Sequence, residues 1–247
     1  MKKIYFVAVF LLLSTSVFGS EKIIIATGEW APYTSEQLQG YGFFSEIVFA
    51  VFNDMGIYYD IVFYPWKRCE ENVRHGKIFA AFPYRITNDR KKDFDFSDVV
   101  AVSRGVFFFL KSKLQKEVIW DNYSDLKGYR IGGTLGYWYE KVFKEAGLTT
   151  EYVINDEINF KKLKAGRVDM VASEELVGWE VIKKMFPSSI YNFDTVKKPL
   201  DISELHLMIS KKYPGADELK RQFNFNLKLI KEKGIYSKIL KKYNIKE

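Results

Sequence analysis

The chain contains, at residues 22–56, the stretch KIIIATGEWAPYTSEQLQGYGFFSEIVFAVFNDMG, in which the hydrophobic period changes. Its first six residues form a short β-branched run that ends at Gly28, which is typical of a buried strand. The later apolar residues recur at three- and four-residue spacings, as on one face of a helix, and Gly56 suits a C-terminal cap. The stretch therefore predicts a strand followed by a helix. The helix positions are Phe44, Ile47, Val48, Val51, Phe52 and Met55.

The same alternation continues outward from this first unit. Residues 58–64 predict a second strand, 66–75 a helix ended by Gly76, and 77–82 a third strand. Strands separated by helices imply a parallel sheet with right-handed crossovers. A second set of this kind follows, with strands at 129–131, 152–154 and 168–172 and helices at 137–146 and 156–165.

Two further strand-like stretches, SRGVFFFL at 103–110 and ELHLMIS at 204–210, come after the first and second sets. They would cross between two α/β lobes as a hinge. We therefore predict a two-lobed α/β fold in which residues 20–110 and 205–247 form lobe 1 and residues 111–204 form lobe 2. Because ligands of open parallel sheets bind outside the carboxyl ends of the strands, two facing lobes would make a ligand cleft.

The composition excludes several classes of protein. With 47% hydrophobic and 28% charged residues, the 247-residue chain is neither disordered nor fibrous. Cys69 is the single cysteine and His75 and His206 are the two histidines, so neither an intrachain disulfide nor a usual zinc site can form. The net charge of +7 is compatible with nucleic-acid binding, but the lysines are scattered, which favours a solvated basic surface. We predict no metal, no cofactor and no nucleic-acid partner.

The N-terminus has the pattern of a secretory signal peptide. Two lysines precede an apolar run at 4–13, and the small residues Val17 and Gly19 suit a cleavage site after Gly19. The run is shorter than the roughly 20 residues that span a bilayer. No cysteine near the cleavage point could carry a lipid. We therefore predict that residues 1–19 are removed and that the mature protein is periplasmic.

Six motifs occur in one order along the chain: GEWAPYT at 28–34, GYGFFSEIVFAVF at 40–52, ITNDRKKDFDFSD at 86–98, DLKGYRIGGTLGYW at 125–138, AGRVDMV at 165–171 and KGIYSKILKKY at 233–243. Through them the chain resembles the amino-acid-type (family 3) solute-binding proteins of bacterial ABC importers. The resemblance implies the two-lobed periplasmic-binding-protein fold of type II. It also implies a monomer that binds an amino-acid-like solute by lobe closure and delivers it to an ABC permease.

The resemblance also implies a carboxylate clamp. The family has an arginine in a T-x-x-R turn after the third strand, and Thr87 to Arg90 match that turn. A planar guanidinium fits the two oxygens of a carboxylate, so Arg90 is the first candidate for the ligand carboxylate. The alternative is a surface arginine paired with Asp93 or Asp95.

In the second lobe, a glycine-rich turn at 132–136 precedes a predicted helix, where free backbone amides would favour an anion. The resemblance places Thr134 and Tyr137 at ligand-facing positions there. It also places Glu174 where the family usually has an aspartate for the ligand ammonium. The alternative for Glu174 is a helix N-terminal acid that stabilises the helix dipole.

Other residues suggest an unusual pocket. Positions before the arginine turn are often small or hydroxylic in the family, whereas this chain has Tyr84 and Arg85. This suggests a ligand with an additional anionic or strongly polar group, or one bound through fewer α-amino contacts than usual. Aromatic residues make up 17% of the chain, and several follow predicted strands, where they would line the cleft. Glu29 is either a cleft acid or a loop charge. The aromatic candidates are Trp30, Tyr33, Trp66, Tyr84, Tyr137 and Trp138.

Two other functions stay open from the sequence. The chain has no G-x-S-x-G elbow, and Cys69 has no assured activating histidine, so we do not predict an enzyme. The enzymatic alternative is a cyclohexadienyl-dehydratase-like activity on the same fold, with a desolvated Glu174 as general acid. The other alternative is a ligand-sensing module that works through a separate membrane receptor.

Overall fold

The computed structural model describes residues 22–114 and 116–245, so the predicted signal peptide lies outside the described residues. Strands and helices alternate through most of this range, as the hydrophobic pattern predicts. Three short 3₁₀ turns occur at Gln39–Tyr41, Tyr123–Leu126 and Pro187–Asn192. The strands are β1 (Ile23–Thr27), β2 (Tyr59–Phe63), β3 (Ala80–Tyr84), β4 (Phe94–Phe96), β5 (Ala101–Leu110), β6 (Ile131–Thr134), β7 (Thr150–Val153), β8 (Met170–Glu174), β9 (Phe193–Thr195) and β10 (Asp201–Ser210). The helices are α1 (Phe43–Asp54), α2 (Trp66–Arg74), α3 (Asn88–Asp93), α4 (Tyr139–Glu145), α5 (Asp156–Lys164), α6 (Glu175–Met185), α7 (Ala216–Glu232) and α8 (Ile235–Lys242).

The strands follow one path in the order β2-β1-β3-β10-β5-β8-β6-β7. At one end β1 pairs in parallel with β2 and β3, and at the other β6 pairs in parallel with β7 and β8. Between them run the long strands β10 and β5, antiparallel to each other and to their outer neighbours β3 and β8. The two predicted parallel sets are therefore confirmed, and the two predicted crossing strands lie side by side between them.

The short strands β4 and β9 pair with β10 and β5, and the sequence analysis did not predict either. Three residues are too few to show a hydrophobic period, so only the pairing with a long neighbour identifies them as strands. The predicted boundaries in the second half are also shifted, because β6 continues to Thr134 and β8 to Glu174.

The predicted glycine-rich turn at 132–136 is wrong over its first residues, since Gly132 and Gly133 lie inside β6. A Cβ atom at Gly132 would come within 2.8 Å of Asn159 Oδ1, and one at Gly133 within 2.9 Å of Tyr152 Cε1. These glycines therefore permit close packing on both faces of a buried strand. The helix that follows begins at Tyr139, two residues later than predicted.

Phenylalanine fills the hydrophobic cores, which accounts for much of the aromatic content. One buried cluster includes Phe44 and Phe52 of α1 together with Phe223 of α7. Two others, built around Phe107 and Phe108 of β5, cover the opposite faces of the second set of strands. The exact lobe boundaries at 110/111 and 204/205 stay a prediction. Within residues 22–114 and 116–245, no helix has the length and hydrophobicity needed to cross a bilayer.

Candidate functional site

A cavity of about 290 Å³ lies at the carboxyl ends of the parallel strands from both sets. Its volume is close to the lower end, about 300 Å³, of small-molecule sites. It contains every predicted site residue except Thr134, Glu29 and the aromatic candidate Tyr33, and it adds residues that the sequence analysis did not single out. The lining residues are Trp30, Trp66, Pro83, Tyr84, Arg85, Arg90, Gly105, Gly136, Tyr137, Trp138, Tyr139, Ser173, Glu174, Leu200 and Leu205.

Arg90 enters the cavity from the short helix α3. Its guanidinium lies 4.8 Å from the centre of the Tyr84 ring. The Nη1 atom donates to the Arg85 carbonyl at 3.2 Å, and Nη2 reaches Glu70 Oε2 at 3.4 Å. Of the alternative partners, Asp93 accepts a hydrogen bond from Arg74, and Asp95 forms an ion pair with Lys220. Both terminal nitrogens of the Arg90 guanidinium therefore have a protein partner, and the longer of the two contacts, to Glu70, is an ion pair. The side chain is still partly exposed, as a clamp for an anionic group requires.

Thr87 positions the turn that carries Arg90, because its side-chain oxygen accepts from the Arg90 backbone amide at 3.2 Å. Replacing Thr87 with alanine should lower the free energy of unfolding by about 1 kcal/mol, since α3 loses its N-cap. Serine at this position should restore most of that loss. Urea unfolding of the three proteins checks the prediction, which is contradicted if the alanine variant is as stable as the wild type.

Arg85 links the cavity to the crossing strands. Its Nη1 donates to Asp201 Oδ2 at 2.7 Å, and Nη2 donates to Ser103 Oγ at 3.3 Å. Asp201 begins β10 and Ser103 lies on β5. The guanidinium also lies 5.6 Å from the Trp138 ring. Part of the Arg85 charge is therefore neutralised by Asp201, which leaves Arg90 as the stronger candidate for a ligand anion.

Glu174 is buried at the end of β8. It combines the two roles that the sequence left open, an acid at the start of a helix and an acid that faces the ligand cleft. It caps α6, because Oε2 accepts from the Val177 amide at 2.9 Å, and it also lines the cavity. Oε1 accepts from the Tyr33 hydroxyl at 2.8 Å and from the Arg104 amide at 3.3 Å. Burial raises the pKa of Glu174 to about 7, although these three donors each lower it.

Aromatic rings form the remaining walls. Tyr33 is fully buried, stacks on Trp30 with a centroid distance of 4.2 Å and reaches Glu174, so it supports the wall without lining it. Trp30 also makes a side-chain hydrogen bond with Tyr137. The Tyr84 hydroxyl donates to the Trp66 carbonyl at 2.9 Å. These contacts hold flat apolar surfaces around the two arginines.

The match to known proteins agrees with this geometry. The family model for bacterial extracellular solute-binding proteins, family 3, matches residues 23–246 of the sequence. The chain belongs to this family. Among curated family 3 relatives, the L-cystine-binding protein TcyA of Bacillus subtilis (strain 168) is 26% identical over 223 residues, which are 87% of this chain and 78% of that protein.

Solved structures agree on the family 3 fold. An ancestral arginine-binding protein bound to arginine has a TM-score of 0.69 at 24% identity, covering 90% of this chain and 97% of its own. An ancestral amino-acid-binding protein, a precursor of cyclohexadienyl dehydratase, has a TM-score of 0.68 at 22% identity, covering 90% and 94%. At these identities the likeness shows the fold alone, and it confirms the predicted two-lobed α/β architecture.

Two candidates do not line the cavity: Thr134, which the family resemblance suggested, and Glu29, whose role the sequence left open. Thr134 is buried, where its hydroxyl donates to Asp156 and accepts from Asn159 Nδ2 at 3.0 Å. Glu29 is exposed, and its carboxylate accepts from the Glu36 amide at 2.7 Å, so the loop-charge alternative describes it. The physical reason for Thr134 is the extra length of β6, which turns this side chain toward α5.

The predicted anion site at the glycine-rich turn is also corrected. The Leu135 amide donates to the Val153 carbonyl at 2.9 Å, and the Gly136 amide donates to Glu140 Oε2 at 3.0 Å. These amides therefore have partners and do not face a ligand. Tyr139 was not predicted, yet its hydroxyl donates to the Ala172 carbonyl at 3.0 Å and its ring lines the cavity.

Ser173 is the other polar lining residue that sequence reasoning missed. The predicted strand ends at Ala172, so the sequence places Ser173 in the loop that follows it. It is in fact the penultimate residue of β8, directly before Glu174. A predicted strand that continued to Glu174 would have indicated Ser173 as a site residue, because residues at the carboxyl end of a parallel strand lie on the ligand side of the sheet.

The described residues show no metal site or activated nucleophile. No group of three or more His, Cys, Asp or Glu side chains within 22–114 and 116–245 could hold a metal ion. Cys69 is buried, and its thiol donates to the Thr27 carbonyl at 3.3 Å. Burial raises the pKa of the Cys69 thiol to about 11, which disfavours the reactive thiolate.

Proposed function

We propose that this family 3 protein binds a small amino-acid-like solute in the periplasm and delivers it to an ABC importer. The observation that carries the proposal is the partly exposed Arg90 guanidinium in a cavity walled by aromatic rings. An arginine offers directed donors to a carboxylate, and the rings cover the rest of a small ligand. The ligand set of this proposal is Arg90, Arg85, Tyr84, Trp30, Trp66, Tyr137, Trp138 and Glu174.

Contacts across the cavity support binding by lobe closure. Tyr33 and Trp30, which follow β1, bond to Glu174 and Tyr137, which belong to the second set of strands. Val177 of α6 also packs against the core cluster of α1 and α7. A ligand that bridges the two sides would add contacts to the closed state and raise its population.

The ligands stated in the names of the relatives are the first compounds to test. L-cystine and arginine are bound by the relatives named above, and both carry an α-carboxylate that Arg90 could hold. Arg85 supports a ligand with a second anionic or strongly polar group, to the extent that Asp201 leaves its charge available. The proposal includes a monomer, cleavage after Gly19 and delivery to a membrane permease.

One observation favours a second candidate. Glu174 is buried beside aromatic rings with its pKa raised to about 7, which suits a general acid for a dehydratase. The curated relatives are binding proteins, so we rank this activity below solute binding. Turnover of arogenate or prephenate by concentrated protein would favour the enzyme.

A thermal-shift screen of residues 20–247 tests the proposed function. The panel contains the standard amino acids, L-cystine, small dicarboxylates, polyamines and aromatic acids. At 100 times its dissociation constant, a specific ligand adds roughly 2.7 kcal/mol to stability. For a protein of this size that is a rise in Tm of about 5–11 °C. A flat response across the amino acids and their analogues would contradict the proposal.

A further inference from the structure

A buried polar cluster lies directly behind the second-lobe wall of the cavity. Asp156, the first residue of α5, accepts hydrogen bonds from two hydroxyl groups on neighbouring strands. Ser173 Oγ donates to Asp156 Oδ2 at 2.8 Å, and Thr134 Oγ1 donates to Asp156 Oδ1. Ser173 lines the cavity, whereas Asp156 and Thr134 do not. Of these three residues, Ser173 is therefore the one that can contact a ligand directly.

The direction of these hydrogen bonds fixes what Ser173 presents to the cavity. A serine hydroxyl has one proton and two acceptor lone pairs, and its proton is used toward Asp156. Among the described residues, no donor reaches the Ser173 oxygen. The oxygen therefore offers acceptor capacity on its cavity side. The Thr134 oxygen differs, because it already accepts from Asn159.

The negative charge of Asp156 also lacks a directly paired positive charge among the described residues. It is 7% exposed, and within 22–114 and 116–245 no lysine, arginine or histidine forms an ion pair with it. Burial raises the pKa of Asp156, and the two hydroxyl donors oppose that rise. Buried charges are usually paired. A ligand cation on the far side of the Ser173 hydroxyl would supply the missing positive charge.

The other polar groups of the cavity are less suited to accept a donor from the ligand. Arg85 and Arg90 can only donate. Glu174 already accepts from Tyr33, Arg104 and Val177. The hydroxyl groups of Tyr84 and Tyr139 donate to backbone carbonyls, so neither is polarised by a carboxylate. The charge of Asp156 also raises the pKa of the lining residue Tyr137, but the side-chain hydrogen bonds that Asp156 accepts come from Ser173 and Thr134. Of the Ser173, Tyr84 and Tyr139 hydroxyl groups, that of Ser173 is the one hydrogen-bonded to a carboxylate.

We propose that Ser173 accepts the ammonium, or an equivalent N–H donor, of the bound solute, and that Asp156 positions the Ser173 hydroxyl and supplies the negative charge. This inference rests on the proposed function and names the recognition of the cationic end of the same ligand. It moves that role from Glu174, where the family resemblance placed it, to the residue before it. The solute class is then a zwitterion with its carboxylate at Arg90 and its ammonium at Ser173.

The test compares amino acids with counterparts that lack the α-amino group. The pairs are L-cystine with 3,3′-dithiodipropanoate, L-arginine with 5-guanidinopentanoate, L-glutamate with glutarate and L-phenylalanine with 3-phenylpropanoate. Calorimetry gives the preference, defined as the ratio of the two dissociation constants, for the wild type, Ser173→Ala, Asp156→Asn, Glu174→Gln and a control. The matched control is Ser210→Ala, a buried serine at the end of β10 that does not line the cavity.

We expect the wild type to prefer the amino acid in at least one pair. Ser173→Ala and Asp156→Asn should each reduce that preference by about 10- to 100-fold, the effect of losing a hydrogen bond to a charged group. Most of the change should be in the affinity for the amino acid, whereas the affinity for the counterpart without the α-amino group should change little. Ser210→Ala should keep the wild-type preference. A merely structural role for Asp156 would lower Tm but leave the preference unchanged.

Three results would overturn the inference, and they differ from failure of the proposed function. The first is an unchanged preference in folded Ser173→Ala and Asp156→Asn. The second is a preference that is lost only in Glu174→Gln, which would return the ammonium to Glu174. The third is a wild type that binds the two members equally in every pair that it binds. A wild type that binds neither member of any pair, nor any standard amino acid, contradicts the proposed function itself, and the inference falls with it.

Discussion

Replacing Arg90 with alanine is expected to reduce the affinity for the solute by roughly 30-fold or more, so that the thermal shift of the screen shrinks strongly or disappears. The guanidinium is partly exposed to the cavity, whereas the neighbouring Arg85 is bound by Asp201 at 2.7 Å. Truncating one partner of a buried hydrogen-bonded charge pair costs about 2–5 kcal/mol, which is roughly 30- to 5,000-fold in Kd. Calorimetry with the best ligand of the screen measures the loss.

The control for this variant is Arg130→Ala. Arg130 also forms an ion pair, with Asp169 at 2.7 Å, but it does not line the cavity. Its loss should leave the affinity within about twofold, since an exposed pair contributes 0–1 kcal/mol to stability and nothing to the ligand. Arg90→Lys should recover only part of the affinity, because an ammonium lacks the planar fork. Wild-type affinity in folded Arg90→Ala would remove the basis of the proposed carboxylate clamp.

The second large effect concerns the dependence of stability on pH. Burial raises the pKa of Glu174 from 4.5 to about 7 in the folded protein. Between these values the unfolded chain has released the proton while the folded protein retains it, so stability falls as pH rises. The stabilisation is present below pH 4.5 and is lost by about pH 7. The difference of roughly 2.5 units corresponds to about 3 kcal/mol.

Urea unfolding of the ligand-free protein at pH 5 and pH 8 checks this expectation. Glu174→Gln has no titrating group at this position, so its loss of stability between the two pH values should be smaller than that of the wild type by about 2 kcal/mol or slightly more, since part of the effect already occurs below pH 5. Glu145→Gln, which changes an exposed carboxylate paired with Lys141 on the surface of α4, is the control and should keep the wild-type pH dependence. Identical pH dependence in Glu174→Gln and the wild type would mean that Glu174 is already ionised at pH 5.

Much of the cavity could be predicted because its residues follow strands that have a clear hydrophobic pattern. Trp30 follows β1, Trp66 follows β2, and Arg90 lies just beyond β3, so the topology of a parallel sheet brings them to one edge. Arg90 needed the additional information of the T-x-x-R match. The family resemblance places Thr134 at the ligand, but β6 continues through this residue and its side chain is buried.

Other parts of the site depend on groups that are far apart in the chain. The Tyr33–Glu174 hydrogen bond joins residues 141 positions apart, and the Arg85–Asp201 pair joins residues 116 apart. No local pattern indicates such pairs. The raised pKa of Glu174 likewise follows from burial that several elements produce together, so it could be suggested from the sequence but not established.

Period, turn residues and motifs were enough to establish a two-lobed α/β protein of family 3 with a cationic, aromatic cleft, because those features are local along the chain. The ends of the strands and the direction of the hydrogen bonds between distant residues could be obtained only from the packed structure. A strand that continues by two or three residues decides whether Thr134 or Ser173 faces the ligand, since side chains alternate between the faces of a sheet. The hydroxyl proton that Ser173 gives to Asp156 depends on the packing of α5 behind β6 and β8, which involves residues 17 positions apart.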